Sequence, residues 1–302
     1  MSNVSNRFAI THRTHYRYSD PVAICQNQVM MVPRDLPRVS CHDTMMEISP
    51  KPTLSHSHID YYGNIVHTFS IEAAHRELSV VVTSDVEVTA TSFPPADKTA
   101  RWEVVCEAIS AGVDQHWFEA SEFRFASAMI AIGQTFGSYA AQSFVPSCPI
   151  LEAALDLTKR INRDFKYDTA ATNVDTSAER AFGIRAGVCQ DFAHIQIACL
   201  RSIGLPARYV SGYLRTLPPP GKPRLVGADN SHAWLSLYAG DVLGWIDFDP
   251  TNACLVGTDH VPICVGRDYR DVAPMRGVVL GGGNTDLRVS VDVEPIPLNS
   301  ND

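Results

Sequence analysis

Residues 187–194, Gly-Val-Cys-Gln-Asp-Phe-Ala-His, contain the feature that decides the fold of this chain. A glycine turn leads directly into Cys189, and the segment that follows, to about residue 203, is apolar over most of its circumference. A helix of this kind is buried in a domain core, and it ends naturally at Gly204, shortly before Pro206. The pattern therefore predicts a buried helix with a cysteine at its N-terminus.

A cysteine in this position is well placed to act as a nucleophile. The thiolate is the reactive form, whereas a free thiol with a pKa of about 8.5 is mostly protonated at neutral pH. The positive end of a helix and a nearby imidazolium each favour the thiolate, and free N–H groups at the helix start can hold an oxyanion. Asp191 acts in the opposite direction, because a carboxylate beside the thiolate disfavours it unless the carboxylate is turned away or paired.

Two later motifs supply partners for Cys189. Ser-His-Ala-Trp (231–234) begins one predicted strand, and Asp249 ends the next, before a Pro-Thr-Asn turn. If these strands pair as an antiparallel hairpin, His232 and Asp249 lie at the same end, where the carboxylate fixes the imidazole tautomer and stabilises the imidazolium. Asp247 shares that face and is a rival for this role, but Asp249 lies nearer the level of His232. The pattern predicts a Cys189–His232–Asp249 triad.

Each of these residues alone has a more ordinary explanation. A buried cysteine is usually a small hydrophobe, a histidine on a strand is usually structural, and an aspartate before Pro-Thr usually forms a turn. The three motifs in this order are hard to reproduce by chance. The alternative function is a non-catalytic module that binds a peptide or a partner in the cleft, and an intact triad disfavours it.

The rest of the sequence divides into a β-rich part and a helical part. Residues 6–92 contain short segments of strand composition separated by Pro and Gly turn signals, which suggest a small sandwich. A Pro-containing linker at 91–100 follows, and helical periodicity then begins. We predict an N-terminal β-sandwich-like domain at 6–92 and a catalytic domain at 101–295, with a helical part at 101–203 and a sheet part at 206–295.

Composition limits the partners. The chain of 302 residues is 45% hydrophobic and has a net charge of −8, which is typical of a globular protein and argues against nucleic acid or an anionic membrane as the main partner. No apolar run is long enough to span a bilayer, and the polar start of the chain has no signal-peptide core. The eight cysteines form no Cys-x-x-Cys motif and are expected to be reduced. We therefore expect a cytoplasmic protein that acts on a peptide or protein substrate, and we leave its oligomeric state open.

No other group of residues has a comparable pattern. His12 and His15 lie in a predicted strand at a spacing that directs them to opposite faces, whereas His56 and His58 share a face but lack a third ligand nearby. We therefore predict no metal and no cofactor. The Pro-rich segment 215–230 is expected to border the cleft, but it encodes no readable specificity.

Taken together, these motifs resemble the bacterial transglutaminase-like family, whose members are often labelled cysteine proteases. The segments that carry the resemblance in the second part of the chain are 185–194, 204–214, 231–234, 244–252 and 266–274. The first 90 residues resemble the N-terminal β-domain that accompanies this core, through Tyr-Arg-Tyr (16–18), Met-Val-Pro-Arg (31–34) and Asp-Tyr-Tyr-Gly-Asn (60–64).

The resemblance implies a papain-like α+β fold, in which a helix carrying Cys189 packs on an antiparallel sheet carrying His232 and Asp249. It implies Cys189 as the nucleophile, His232 as general base and acid, and Asp249 as the residue that orients His232. The implied reaction is acyl transfer or hydrolysis at amide or peptide bonds through a thioester. Gln190 stands where animal transglutaminases have Trp, and the chain has no room for their extra β-domains, so calcium dependence and Gln–Lys cross-linking are not implied.

Overall fold

The computed structural model describes residues 4–112, 115–216 and 230–297. Its α-helices are α1 (Trp102–Ala111), α2 (Gln115–Ser121), α3 (Gln134–Ala140), α4 (Ile150–Asp164), α5 (Ala178–Ile184), α6 (Cys189–Ser202) and α7 (Tyr269–Val272). Its strands are β1 (Ser5–Val29), β2 (Val39–Ser49), β3 (Leu54–Ile59), β4 (Ile65–Ile71), β5 (His75–Thr89), β6 (Lys166–Tyr167), β7 (Ala186–Gly187), β8 (Ala207–Leu214), β9 (Asn230–Tyr238), β10 (Trp245–Asp249), β11 (Cys254–Leu255), β12 (His260–Gly266), β13 (Met275–Gly281) and β14 (Thr285–Ile296). Within these residues, no helix has both the length and the apolar character needed to cross a membrane.

A five-stranded antiparallel sheet and helix α6 form the centre of the C-terminal part. The strand order is β11-β10-β9-β8-β12, and α6 packs against β9 and β8. Every residue of α6 from Gln190 to Arg201 is buried, as the apolar circumference of this segment predicts. The helix ends at Ser202, and Gly204 follows with a φ of 88°, a conformation that glycine adopts without strain.

A seven-stranded antiparallel sheet forms the N-terminal part, and its long strand β1 has different neighbours along its two halves. The first half of β1 lies between β5 and β14, and the second half lies between β4 and β13. Side chains of the strands beside both halves, among them Phe69 of β4 and Val80 of β5, meet in one apolar cluster. The strand composition of this part therefore predicts its β architecture correctly.

The Ser-Asp-Pro signal at 19–21 predicts the end of the first strand, but β1 continues through it. The pairing of β1 with β5 shifts register between Arg17 and Val22. Pro21 lies inside this irregularity, where its missing N–H removes no bond from the ladder. A turn signal therefore marks a bulge here rather than a strand end.

The predicted sheet part of the catalytic domain, 206–295, is wrong at its C-terminal end. Strands β13 and β14 pair with β1 and not with the five-stranded sheet, so the chain returns to the N-terminal sheet after α7. Polar and apolar residues alternate in 287–293, which predicts a strand, and this segment lies within β14, where Val291 and Val293 are 1% and 0% exposed. Alternation does not specify the partner strand, because pairing depends on residues far away in the sequence.

Buried polar contacts join the two sheets. The hydroxyl of Tyr213 lies 2.8 Å from Nδ1 of His12. The side chain of Asn64 donates to the carbonyl of Val265 at 2.8 Å and accepts from its N–H at 2.9 Å. Gly63, with a φ of 77°, forms the turn that presents Asn64. One apolar core contains residues of both parts, so the N-terminal sheet supports the sheet that carries His232.

Candidate active site

Cys189 is the first residue of α6 and lies at the positive end of the helix dipole. The preceding residue, Val188, is the N-cap and has an extended backbone with φ −113° and ψ −176°. The Cys189 side chain is half-buried and lies close enough to the imidazole of His232 to act on it electrostatically. The thiol therefore lies at the edge of the core, between a helix terminus and a base.

The carboxylate of Asp191 turns back onto the start of the same helix. Its Oδ2 accepts a hydrogen bond from the N–H of Val188 at 2.8 Å and another from the hydroxyl of Thr172 at 2.6 Å. Burial raises the pKa of Asp191, and these two hydrogen bonds oppose that rise. The carboxylate is thus paired as a helix cap.

Because Gly187 has no side chain, the side chain of Asp191 can occupy the space beside it. A Cβ at position 187 would lie 2.4 Å from Oδ2 of Asp191 and 2.7 Å from its Cβ. We expect Gly187→Ala to displace Asp191 and to lower the free energy of unfolding by roughly 1–3 kcal/mol, measured by urea denaturation. The matched control is Gly183→Ala in α5, where a Cβ meets nothing within 4 Å. Equal destabilisation by both substitutions would contradict the cap.

His232, on β9, connects Cys189 to the sheet. Its Nε2 lies 2.8 Å from Oδ2 of Asp249. Because Nε2 is engaged there, Nδ1 is the ring nitrogen left for the Cys189 thiol. Burial lowers the pKa of His232, but the interactions with Asp249 and Cys189 outweigh it and raise this pKa to about 10. The surroundings therefore favour the imidazolium.

Asp249 is fully buried and is surrounded by hydrogen-bond donors. Its Oδ1 accepts from the N–H groups of Thr251 at 2.8 Å and Asn252 at 3.2 Å, and its Oδ2 accepts from the Asn252 side chain at 2.6 Å. Burial alone would raise the pKa of Asp249, but the bonds from His232, His260 and Asn252 hold it well below its usual range. The ionised carboxylate is therefore a fixed acceptor for His232.

Asp247, the rival for this role, has other partners. Its Oδ2 accepts from the indole N–H of Trp234 at 3.2 Å and from the guanidinium of Arg38 at 3.3 Å. The structure brings Asp249, and not Asp247, to the imidazole of His232. The two aspartates differ because Asp249 lies at the end of β10, beside the turn that supplies its backbone donors.

His260 is a residue of the site that the sequence reasoning missed. It begins β12, and its Nε2 lies 3.0 Å from the same Oδ2 of Asp249. Its ring packs edge-on against Trp234, with the ring centroids 5.3 Å apart. Its Nδ1 is buried and has no hydrogen-bond partner within the described ranges. In the sequence, this role is marked only by a histidine at the start of an apolar strand. That pattern does not indicate which residue the histidine contacts.

The ligand-type atoms of His232, Asp249 and His260 all lie within 4.8 Å of one another. Residues of these types bind zinc in many proteins. Here, however, both histidine nitrogens lie at hydrogen-bond distances of 2.8 and 3.0 Å from one carboxylate oxygen. Asn252 donates to that oxygen as well. Hydrogen bonds therefore account for this cluster.

The Pro-rich segment 215–230 is predicted to border the cleft, and its residues 217–229 lie outside those that the structure describes. The two strands on either side of it are neighbours, because Leu214 of β8 pairs with Asn230 of β9. Gly212 pairs with His232 in the same ladder. The segment therefore leaves the sheet at the end of β8 and returns to it at the start of β9, at the same end of the sheet as His232.

A helix that presents a cysteine to an antiparallel sheet bearing a histidine and an aspartate is the papain-like α+β arrangement expected from the sequence. The chain belongs to the transglutaminase-like superfamily, whose family model matches residues 138–250. A second family model, the bacterial transglutaminase-like N-terminal region, matches residues 8–87. These matches confirm the resemblance seen in the motifs.

Relatives cover nearly the whole chain. The uncharacterized protein Rv2569c of Mycobacterium tuberculosis is 40% identical over 300 residues, which cover 96% of this chain and 93% of the relative. A protein-glutamine gamma-glutamyltransferase of Pseudomonas aeruginosa is 35% identical over 99 residues, which cover 32% of this chain and 15% of that protein. The solved structure of a "Putative Cysteine Protease" from Cytophaga hutchinsonii superposes with a TM-score of 0.76 at 22% identity, covering 98% of this chain and 92% of that one. At that identity the likeness concerns the fold.

Proposed function

We propose that this protein is a thiol-dependent enzyme that transfers acyl groups from amide bonds. The observation that carries the proposal is the hydrogen bond between His232 and the fully buried Asp249, with Cys189 close enough to act on the same imidazole. A structural cysteine needs neither a helix terminus nor an imidazole whose pKa is raised by a buried carboxylate. A nucleophilic cysteine uses both.

In the first half of the reaction, Sγ of Cys189 attacks the carbonyl carbon of an amide. A bond forms between sulfur and carbon, and the carbonyl oxygen becomes an oxyanion. The backbone N–H of Cys189, at the start of α6, donates to this oxyanion and stabilises the negative charge. The imidazolium of His232 then gives its proton to the leaving nitrogen, the carbon–nitrogen bond breaks, and a thioester on Cys189 remains.

In the second half, an acceptor resolves the thioester. His232, now neutral, takes a proton from the acceptor as it attacks the carbonyl carbon, and Cys189 leaves as a thiolate beside the restored imidazolium. Throughout both halves Asp249 orients the ring and stabilises its positive charge. Water as acceptor gives an amidase or protease, whereas a primary amine gives a transglutaminase-type product.

Two comparisons guide the choice of substrate. The partial relative from Pseudomonas aeruginosa is named for transfer from protein glutamine, which supports a glutamine carboxamide as acyl donor. The structural neighbour is named as a cysteine protease, and that name supports a peptide bond. We propose a peptide or protein substrate, with the acceptor to be assigned by experiment.

The test compares two reactions on the same protein. One arm measures incorporation of a fluorescent primary amine into β-casein, and the other measures cleavage of an internally quenched peptide library. We expect turnover in one arm and, after acid quench, an acyl adduct on Cys189 by mass spectrometry. Turnover that persists in Cys189→Ala, or an adduct on another residue, would overturn the proposal.

A further inference from the structure

A cavity of ≈640 Å³ lies between the five-stranded sheet and the chain segments 36–38 and 89–93. The sheet side of this cavity is formed by Arg208, Val210, Trp245, Asp247, Pro262 and Val265. None of the three proposed triad residues lines it. The cavity is therefore a separate feature from the thiol site, formed where the N-terminal part covers the sheet.

Arg208 lines this cavity, and Asp247 is near enough to it to interact electrostatically. Its guanidinium stacks on the ring of Trp245 at 4.2 Å from the centroid, and its Nε is buried with no hydrogen-bond partner. Within the described part of the chain, its side chain forms no hydrogen bond and no ion pair. Leaving the buried Nε donor of Arg208 without an acceptor is costly for a protein, so a ligand that accepts from Nε would remove this cost.

The other charges of the cavity form an ion pair with each other and not with Arg208. Arg38 and Asp247 pair with each other at 3.3 Å, and Asp247 also accepts from Trp234. The charged residues that line the cavity are Arg38, Asp247 and Arg208, and their charges therefore sum to one positive charge. On its other side Arg208 borders a smaller cavity of ≈420 Å³ with Glu119 and Glu122, and neither carboxylate forms an ion pair with it in the described residues.

The walls restrict the chemistry of the ligand further. Val210, Pro262 and Val265 are apolar, as are Leu36 and Phe93 on the covering side. One free guanidinium matches the two oxygens and single charge of a carboxylate. A phosphate dianion would leave one charge uncompensated in these apolar surroundings.

We propose that this cavity binds a carboxylate with an apolar body, held by Arg208 on its Trp245 platform. The carboxylate receives the unused N–H donors of the guanidinium, and the apolar body fills the space between the sheet and the covering segments. The site is independent of the thiol chemistry, so it is tested in Cys189→Ala protein as well as in the wild type.

The experiment measures binding of 4-phenylbutyrate by titration calorimetry, with 4-phenylbutyramide as the uncharged ligand of matched shape. We expect the wild type to bind the acid at least about tenfold more tightly than the amide, because a charge-assisted hydrogen bond contributes roughly this much. Arg208→Gln is expected to remove this preference. This comparison of acid with amide requires no variant and therefore does not depend on how Arg208→Gln folds.

The matched control is Arg215→Gln, which removes an arginine that pairs with Asp259 at 3.2 Å at the end of the same strand. Arg215→Gln is expected to leave the preference for the acid unchanged. Arg208→Lys is expected to retain part of this preference, since lysine keeps the positive charge but lacks the planar guanidinium that can donate two parallel hydrogen bonds. Equal binding of acid and amide, an acid preference that survives Arg208→Gln, or binding of inorganic phosphate in place of 4-phenylbutyrate would overturn the proposal.

Discussion

Replacement of Cys189 by alanine is expected to lower amide turnover by about 10⁵- to 10⁶-fold and to abolish labelling by a thiol-directed acylating probe. The reason is that the substitution removes the proposed nucleophile, whereas the fold hardly changes, because the side chain is half-buried at a helix end. His232→Ala is expected to lower turnover to a similar level, because Cys189 and His232 act as one unit and their losses do not add. Rates are measured on the better substrate of the two-arm assay.

Cys254→Ala is the control for these variants. Cys254 is also a half-buried thiol and lies on β11. Burial, aided by the negative charge of Asp249, raises the pKa of Cys254 to about 11, so this thiol is protonated at neutral pH and reacts slowly. Its alanine variant should retain wild-type turnover and labelling. Equal labelling of the wild type, Cys189→Ala and His232→Ala would refute the assignment of the nucleophile.

Asp249→Asn is expected to lower kcat/KM by about 10³- to 10⁴-fold and to lower the free energy of unfolding by about 2–4 kcal/mol. Every group around Asp249 donates, including His232, His260, Asn252 and the N–H of Thr251. An asparagine therefore places its NH₂ group against a donor in either orientation. Urea denaturation measures the loss of stability, and rates at saturating substrate measure the loss of the orientation of His232.

Asp247→Asn is the matched control, because Asp247 lies on the same strand and also accepts from two donors. It does not contact His232, so its effect on kcat is expected to be less than about tenfold. If Asp247→Asn and Asp249→Asn reduced kcat equally, Asp249 would not be the orienting residue.

The pH dependence provides a second measurement on the same pair. The pKa of His232 is raised from 6.5 to about 10, so its ion-pair stabilisation is complete below pH 6.5 and is lost as pH rises through about 10. The pKa of Asp249 is depressed below 3.8, so its contribution to stability is present above that value and is lost as pH falls through the depressed pKa.

We expect an alkaline limb of kcat/KM near pH 10. In Asp249→Asn this limb should move to lower pH, because burial still lowers the pKa of His232 while the carboxylate is gone. An unchanged limb would contradict this account.

The local parts of the site could be predicted because they depend on neighbours in the sequence. The glycine before Cys189 and the apolar residues after it specify a buried helix with its bounds, and α6 begins and ends as predicted. Asp249 precedes a Pro-Thr-Asn turn, and that turn provides its backbone donors. The class of fold followed from the family resemblance that these motifs carry.

Contacts between distant segments could not be predicted, because alternation and turn signals contain no information about the partner. His260 reaches Asp249 only because β12 pairs with β8 on the far side of β9. The same limit misplaced 275–295, which belongs to the N-terminal sheet. Arg208 likewise became a candidate anchor only when the covering segments formed a cavity around it.

The sequence by itself predicted the buried helix that begins at Cys189 and the order of the proposed triad, since each rests on a few adjacent residues. Only the tertiary structure decided how the charges are paired. It brought Thr172 to Asp191, gave Asp247 to Trp234 and Arg38, and gathered His232 and His260 on Asp249. The physical reason is that burial makes an unpaired charge costly, and the partners that remove this cost are brought together by the packing of segments far apart in the chain.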